Sequence, residues 1–150
     1  EQLIAPLVIL DARGRAARAS IGLDVLETAP PIGPGDIVAV MTGWDARFGH
    51  ESYLEHPVID VALAEALWQR GVWVLGGDTL NPDASWPGED GAWHLPVHEL
   101  WLGRGGVIVE NLAHLDRAPA QGAEAIILPL NIAGADGAPV RAVARVPNAG

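Results

Sequence analysis

The stretch Val97 to Leu112, VHELWLGRGGVIVENL, constrains the fold of this chain more than any other. Val97, Leu100 and Trp101 are spaced for one face of a short helix. Gly103, Gly105 and Gly106 end that helix, because glycine takes the left-handed backbone that a helix C-terminus commonly needs. Val107, Ile108 and Val109 follow as a β-branched run suited to a buried strand. From Val107 to Glu110 the strand covers roughly 10 Å, and from His98 to Gly103 the helix climbs roughly 7 to 8 Å. If the strand turns back along the helix, the two lengths nearly cancel and His98 and Glu110 finish at similar height. An imidazole and a carboxylate at one level make half of a metal site. A plainer reading fits the same residues: the histidine caps backbone, and the glutamate pairs with Arg104 or Arg141. An ionised carboxylate at the end of an apolar run needs a partner or a metal, and spacing alone leaves both readings open.

The 150 residues suit a single domain that can bury most of its unfolded surface. Net charge is −10 and the 9 cations are all arginine, which argues against a nucleic-acid partner. With no cysteine, disulfides and thiolate metal sites are excluded, leaving His, Asp and Glu as ligands. No apolar run is long enough to span a bilayer, so no membrane partner and a cytoplasmic location are expected. The chain begins at Glu1 and its one methionine is Met41, which reads as a processed or truncated product.

In chain order, Leu7–Leu10 is a strand, Asp11–Ser20 a polar excursion and Asp24–Thr28 a short helix closed by Pro30 and Pro31. Pro34-Gly35-Asp36 signals a turn before the apolar strand Ile37–Met41. Thr42–Pro57 lacks a period and reads as a loop carrying function or an interface. Asp60–Arg70 is the clearest helix, with Asp60 as cap, Ile59, Leu63, Ala66 and Leu67 on its buried face, and Gly71 as stop. Val72–Leu75 is a buried strand, and Gly76–Pro96 is a long Gly, Pro and Asp-rich loop of the kind that walls an active site. After a connector, Ala125–Leu130 is a further strand, Asp136-Gly137 a hairpin turn, and Pro139–Val146 an alternating strand. The pattern is α/β with a mixed sheet and few, short helices.

None of the five histidines (His50, His56, His94, His98, His114) forms an H-E-x-x-H or H-x-H pair. His56 precedes Pro57, which favours a structural role in an extended turn. His94 lies in the long loop as a candidate pocket residue, and Asp78 follows a strand end, where open α/β sheets place functional side chains. A turn or cap bond accounts for Asp78 equally well. Trp68 and Trp73 fit core positions. The loop residues Trp44, Trp86 and Trp93 suggest an aromatic-lined substrate pocket or a contact between copies of the chain. No phosphate-binding glycine loop, serine elbow or thiol nucleophile is present.

With these residues in hand, the chain resembles the cyclase family whose best-known members are bacterial kynurenine formamidases and isatin hydrolases. The likeness runs through LIAPLVILD, GDIVAVMTGWDARF, YLEHPVID, RGVWVLGGDTLNPD, VHELWL with GGVIVENL, and ILPLNIAGADGAPVRAVA, in the family's order. It implies a swivelling β/β/α fold, a divalent metal (zinc or manganese), and hydrolysis of an amide, formamide or lactam bond in a small-molecule substrate by metal-activated water. It also implies that His98 and Glu110 are metal ligands. The family's ligand block, H-x-G-T-H-x-D-x-P-x-H, stands upstream of LIAPLVILD and does not occur here, so the acid/base residue is expected upstream of residue 1. The chain thus resembles roughly the C-terminal two-thirds of a member. The alternative is a truncated or degenerate member that binds or assembles without catalysis. An N-terminal segment missing from a sheet would bare an edge, and a homo-oligomer is expected on that ground.

Overall fold

A computed structural model describes residues 3–147. Eight strands and two α-helices are present among them: β1 (Ile4–Asp11), β2 (Ser20–Ile21), β3 (Ile37–Met41), β4 (Val58–Ile59), α1 (Val61–Gln69), β5 (Val74–Gly77), α2 (Pro96–Gly103), β6 (Val107–Val109), β7 (Ala123–Pro129) and β8 (Val140–Arg145). Six strands form one mixed sheet in the order β6-β5-β3-β1-β7-β8, and β2 pairs with β4 in a small second sheet. β1, β3, β5 and β6 run parallel, while β7 pairs antiparallel with β1, and β8 antiparallel with β7. This is the α/β class with few short helices that the sequence pattern indicates.

The parallel strands are buried on both faces, which is why they read as continuous apolar runs rather than alternating ones. Val8, Leu10, Val38, Val40 and Leu75 pack with Leu63, Leu67, Val97 and Trp101 of the two helices. Leu7, Ile9, Ile37, Ala39 and Val74 face the other way, onto Val109, Leu115, Ala123, Ala125 and Ile127. The sheet is curled enough that residues of its two outermost strands, Val109 in β6 and Ala142 and Ala144 in β8, line one apolar cavity of about 300 Å³.

α1 begins where the sequence places it, with the Asp60 side chain accepting from Ala62 N at 2.8 Å. Its buried face uses Ala64 rather than the expected Ala66, beside Leu63 and Leu67. The strand expected at Val72–Leu75 starts two residues later. Val72 N still bonds Leu67 O at 3.2 Å, so that residue completes the helix exit, and the ladder continues through Gly76 and Gly77. Leu112 packs so closely over Gly76 that a Cβ there would overlap it. The expected helix at Asp24–Thr28 is a 3-10 turn at Leu23–Leu26, and Thr42–Pro57 holds two more such turns rather than plain loop. β8 alternates in sequence, yet its Val140 and Val143, and Val146 just beyond it, are all well exposed, since no strand among the described residues pairs with its outer edge. No helix among the described residues is long and apolar enough to cross a membrane.

Candidate metal centre

The helix α2 starts with Pro96 at a position where its missing N–H costs nothing, and Leu95 before it offers no capping side chain. The free N–H groups are satisfied from outside the helix. Asp83, in the long loop after β5, accepts from Val97 N at 2.9 Å and His98 N at 3.0 Å. Its Oδ2 also lies 2.7 Å from His98 Nδ1. His98 is thereby rotated so that Nε2 faces Glu110 Oε1, 3.3 Å away. Glu110 is carried there by β6, which leaves Gly106 tight against the Trp101 indole and runs back beside α2. The structure therefore brings His98 and Glu110 together from opposite ends of the organising stretch.

The electrostatics follow from that geometry. Hydrogen bonds from Asp83 first, and Glu110 second, outweigh partial burial and push the His98 imidazole up to about 9. The site draws positive charge to the space between the two carboxylates. A nitrogen and a carboxylate oxygen 3.3 Å apart, with the second imidazole nitrogen tied to a buried carboxylate, form a donor pair of the type divalent cations take. Among the described residues no third His, Asp or Glu joins them to make a complete cluster.

Asn111 fixes the far side. It takes a left-handed φ of 55° directly after Glu110. Its backbone N–H donates to Thr79 O at 3.0 Å, its amide nitrogen to Leu80 O at 3.3 Å, and its amide oxygen accepts the Tyr53 hydroxyl at 2.9 Å. Burial, then the charges of Asp78, Asp45 and Glu110, raise the Tyr53 phenol to about 12, so it stays a donor.

The other residues singled out in the sequence lie in varied settings. Asp78 is buried and accepts from Thr42 N (2.9 Å), Thr42 Oγ1 (2.6 Å) and Gly43 N (2.7 Å), while burial raises its pKa against those bonds. It lines an open cleft with Tyr53, Asn111 and His114. Trp44 is a core residue, donating from its indole to Tyr53 O at 3.1 Å, with Arg47 stacked above it. Trp86 packs against His56 and under Arg18. His94 pairs with Asp90 at 2.9 Å on the surface, and Trp93 beside it is 65% exposed. None of these shares a hydrogen bond or ion pair with His98 or Glu110 among the described residues. A second cleft of about 750 Å³ does reach Glu110, walled by Asn111, His114, Pro139 and Arg141.

Asp83, Asn111 and Tyr53 were not singled out from the sequence. The signal for Asp83 was present but mute: an Asp after Asn81-Pro82 reads as turn chemistry, and only the fold shows that it reaches α2.

The fold is a mixed α/β sheet carrying a His and Glu pair at its edge, with a buried carboxylate behind the imidazole. The comparisons give the family. Residues 1–84 match the family model described as "Putative cyclase". An isatin hydrolase of Roseibium aggregatum is 30% identical over 171 residues, covering 99% of this chain and 62% of its own length. The crystal structure of an isatin hydrolase bound to the product analogue thioisatinate superimposes with a TM-score of 0.83 at 31% identity, over 98% of this chain and 62% of that one. A structure described as a potential metal-dependent hydrolase with cyclase activity shares the fold, with a TM-score of 0.75 at 23% identity over 94% and 64%. The chain belongs to this cyclase family, and it spans about 62% of the length of the isatin hydrolases it matches.

Proposed function

We propose that this chain carries two metal ligands, His98 and Glu110, of a metal-dependent hydrolase acting on an amide, formamide or lactam bond. The observation that carries the reading is the 3.3 Å approach of His98 Nε2 to Glu110 Oε1 while Nδ1 is held by Asp83. The likeness to isatin hydrolase supports a cyclic amide as substrate, and the likeness to a metal-dependent hydrolase supports the cation. Zinc and manganese both suit a nitrogen and carboxylate donor set. When bound, such an ion lowers the pKa of a coordinated water toward neutrality and polarises a carbonyl.

The residues of the chain do the rest. Asp83 keeps the proton on Nδ1, which leaves the Nε2 lone pair for the cation. Asn111, held by Tyr53 and the 79–80 carbonyls, fixes the backbone from which Glu110 projects. The cleft beside Glu110 gives a flat substrate room to lie against the site, with Arg141 on its wall to meet the carboxylate that amide hydrolysis releases. The remaining ligands and the acid/base group are those of the H-x-G-T-H-x-D-x-P-x-H segment of the family, outside this sequence.

The test is to supply that segment by fusion or as a separate chain and assay isatin and N-formylkynurenine with and without zinc or manganese. Metal-dependent turnover, lost by orders of magnitude in Glu110→Ala, is the expected result. No metal-dependent hydrolysis across a panel of amides, lactams and esters by a folded, metal-loaded fusion would overturn it. The exposed apolar residues of β7 and β8, Leu128, Val140 and Val143, favour the second reading, a binding or assembly subunit, in that case.

A further inference from the structure

His56 is the most buried titratable side chain among the described residues, with no exposed surface, and nothing in the proposed chemistry uses it. A histidine in such a place needs both ring nitrogens bonded. Nδ1 lies 2.9 Å from Pro57 O, a group that can only accept, so Nδ1 carries the proton. Nε2 is then an acceptor, and its partner at 2.8 Å is Ser85 Oγ, which must donate. The Ser85 oxygen in turn accepts from the Asn81 amide at 3.0 Å. Asn81 uses its other side-chain atom to accept from Asp83 N at 2.7 Å. Each bond fixes the direction of the next, from the core histidine to the backbone of Asp83.

The same short loop touches both halves of the candidate site. Thr79 O and Leu80 O receive the Asn111 donors next to Glu110, and Asp83 receives those of His98. Besides the clasp by His56 and Ser85, Ile59 N donates to Pro82 O at 2.8 Å. We propose that His56 is a positioning residue: by accepting the Ser85 hydroxyl it sets the 79–85 loop, and through Asp83 it aims His98 at Glu110. This deepens the metal-site reading and rests on it for its purpose, though not for its geometry. It also gives the His-Pro pair of YLEHPVID a function, since Pro57 supplies the carbonyl that fixes the tautomer.

The experiment follows the His98 imidazole proton in the metal-free chain. In histidine-labelled protein at neutral pH, the Nδ1–H bonded to buried Asp83 gives an NMR signal protected from solvent exchange. Ser85→Ala and His56→Phe each speed that exchange by about tenfold or more, the double variant is no worse than either, and Ser85→Thr keeps the wild-type rate. Ile127→Ala, in the core on the opposite face of the sheet, lowers stability without changing the rate, which separates positioning from general loosening. Zinc affinity of the same variants, by calorimetry, falls about 10- to 100-fold as expected for a ligand-orienting partner. Exchange within about twofold of wild type in Ser85→Ala overturns the proposal, even where His56→Phe does not fold. A fusion carrying the upstream ligand segment that binds no zinc but shows the exchange pattern keeps the positioning role and overturns the metal reading alone.

Discussion

Asp83 closes the N-terminus of α2 and holds the His98 imidazole with one carboxylate, 2.9 Å from Val97 N and 2.7 Å from His98 Nδ1. Stability and site geometry are therefore set by the same atoms. Asp83→Ala leaves two helix N–H groups and an imidazole without their buried acceptor. The expected cost is roughly 2–4 kcal/mol, a lost cap plus unpaired buried donors. Asp83→Asn keeps one acceptor and costs less. Urea denaturation of the three proteins measures the order.

Metal binding by the chain alone is expected to be weak, because two protein ligands fall short of the three that catalytic sites keep. His98→Ala and Glu110→Ala each abolish it. Equal zinc affinity in wild type and both variants, by titration calorimetry, would place the site elsewhere.

His98, half-buried, and His56, fully buried, make stability depend on pH in opposite directions. The folded pKa of His98 is raised to about 9, so its contribution is complete below its ordinary value of 6.5 and is lost as pH rises through about 9. Burial lowers that of His56, so the unfolded chain takes its proton more readily and stability falls as pH drops below 6.5. In the metal-free chain His98→Ala flattens the alkaline slope and His56→Phe the acid one. Denaturant midpoints across that range distinguish them.

Asn111 tests whether the left-handed turn after Glu110 is held by its side chain or only by backbone freedom. Asn111→Gly relaxes the φ of 55° and loses the bonds to Tyr53 and Leu80. Asn111→Ala loses the same bonds and is strained as well, so it is less stable than the glycine variant by about 1 kcal/mol. Thermal melts compare the pair directly.

Association should track β8. Val140 and Val143 are exposed, and no strand among the described residues pairs with its outer edge. A charged residue on such an edge discourages pairing with another chain. We expect light scattering to show concentration-dependent association of the wild-type chain and a shift toward monomer in Val143→Lys.

Much of this was legible in the residues. Ile37–Met41, the Asp60 cap and the run from Val97 to Val109 are local patterns, and the structure repeats them nearly to the residue. The meeting of His98 and Glu110 was also accessible, because helix and strand lie within sixteen residues of one another and their rises nearly match. What stayed hidden was long-range. Asp83 reaches α2, Tyr53 reaches Asn111, and His56 reaches Ser85 only because the two loops fold over the same sheet end. Trp44 looked like a loop aromatic because its indole partner, Tyr53 O, belongs to a 3-10 turn with no apolar period.

The position of β1 has a kinetic consequence. It is an inner strand, yet its two neighbours come from opposite ends of the chain: Leu7 is in register with Ile37 on one side and with Ala123 on the other. During synthesis the parallel set β1, β3, β5 and β6 can assemble with its helices, while the side of β1 that pairs with β7 must wait, among the described residues, until β7 emerges. Contacts of such wide sequence separation close slowly, and an apolar strand waiting with one edge bare is exposed to capture by a neighbouring chain. A nascent chain arrested before Ala123 should thus hold its parallel core and still need a chaperone, which it sheds once β7 has seated.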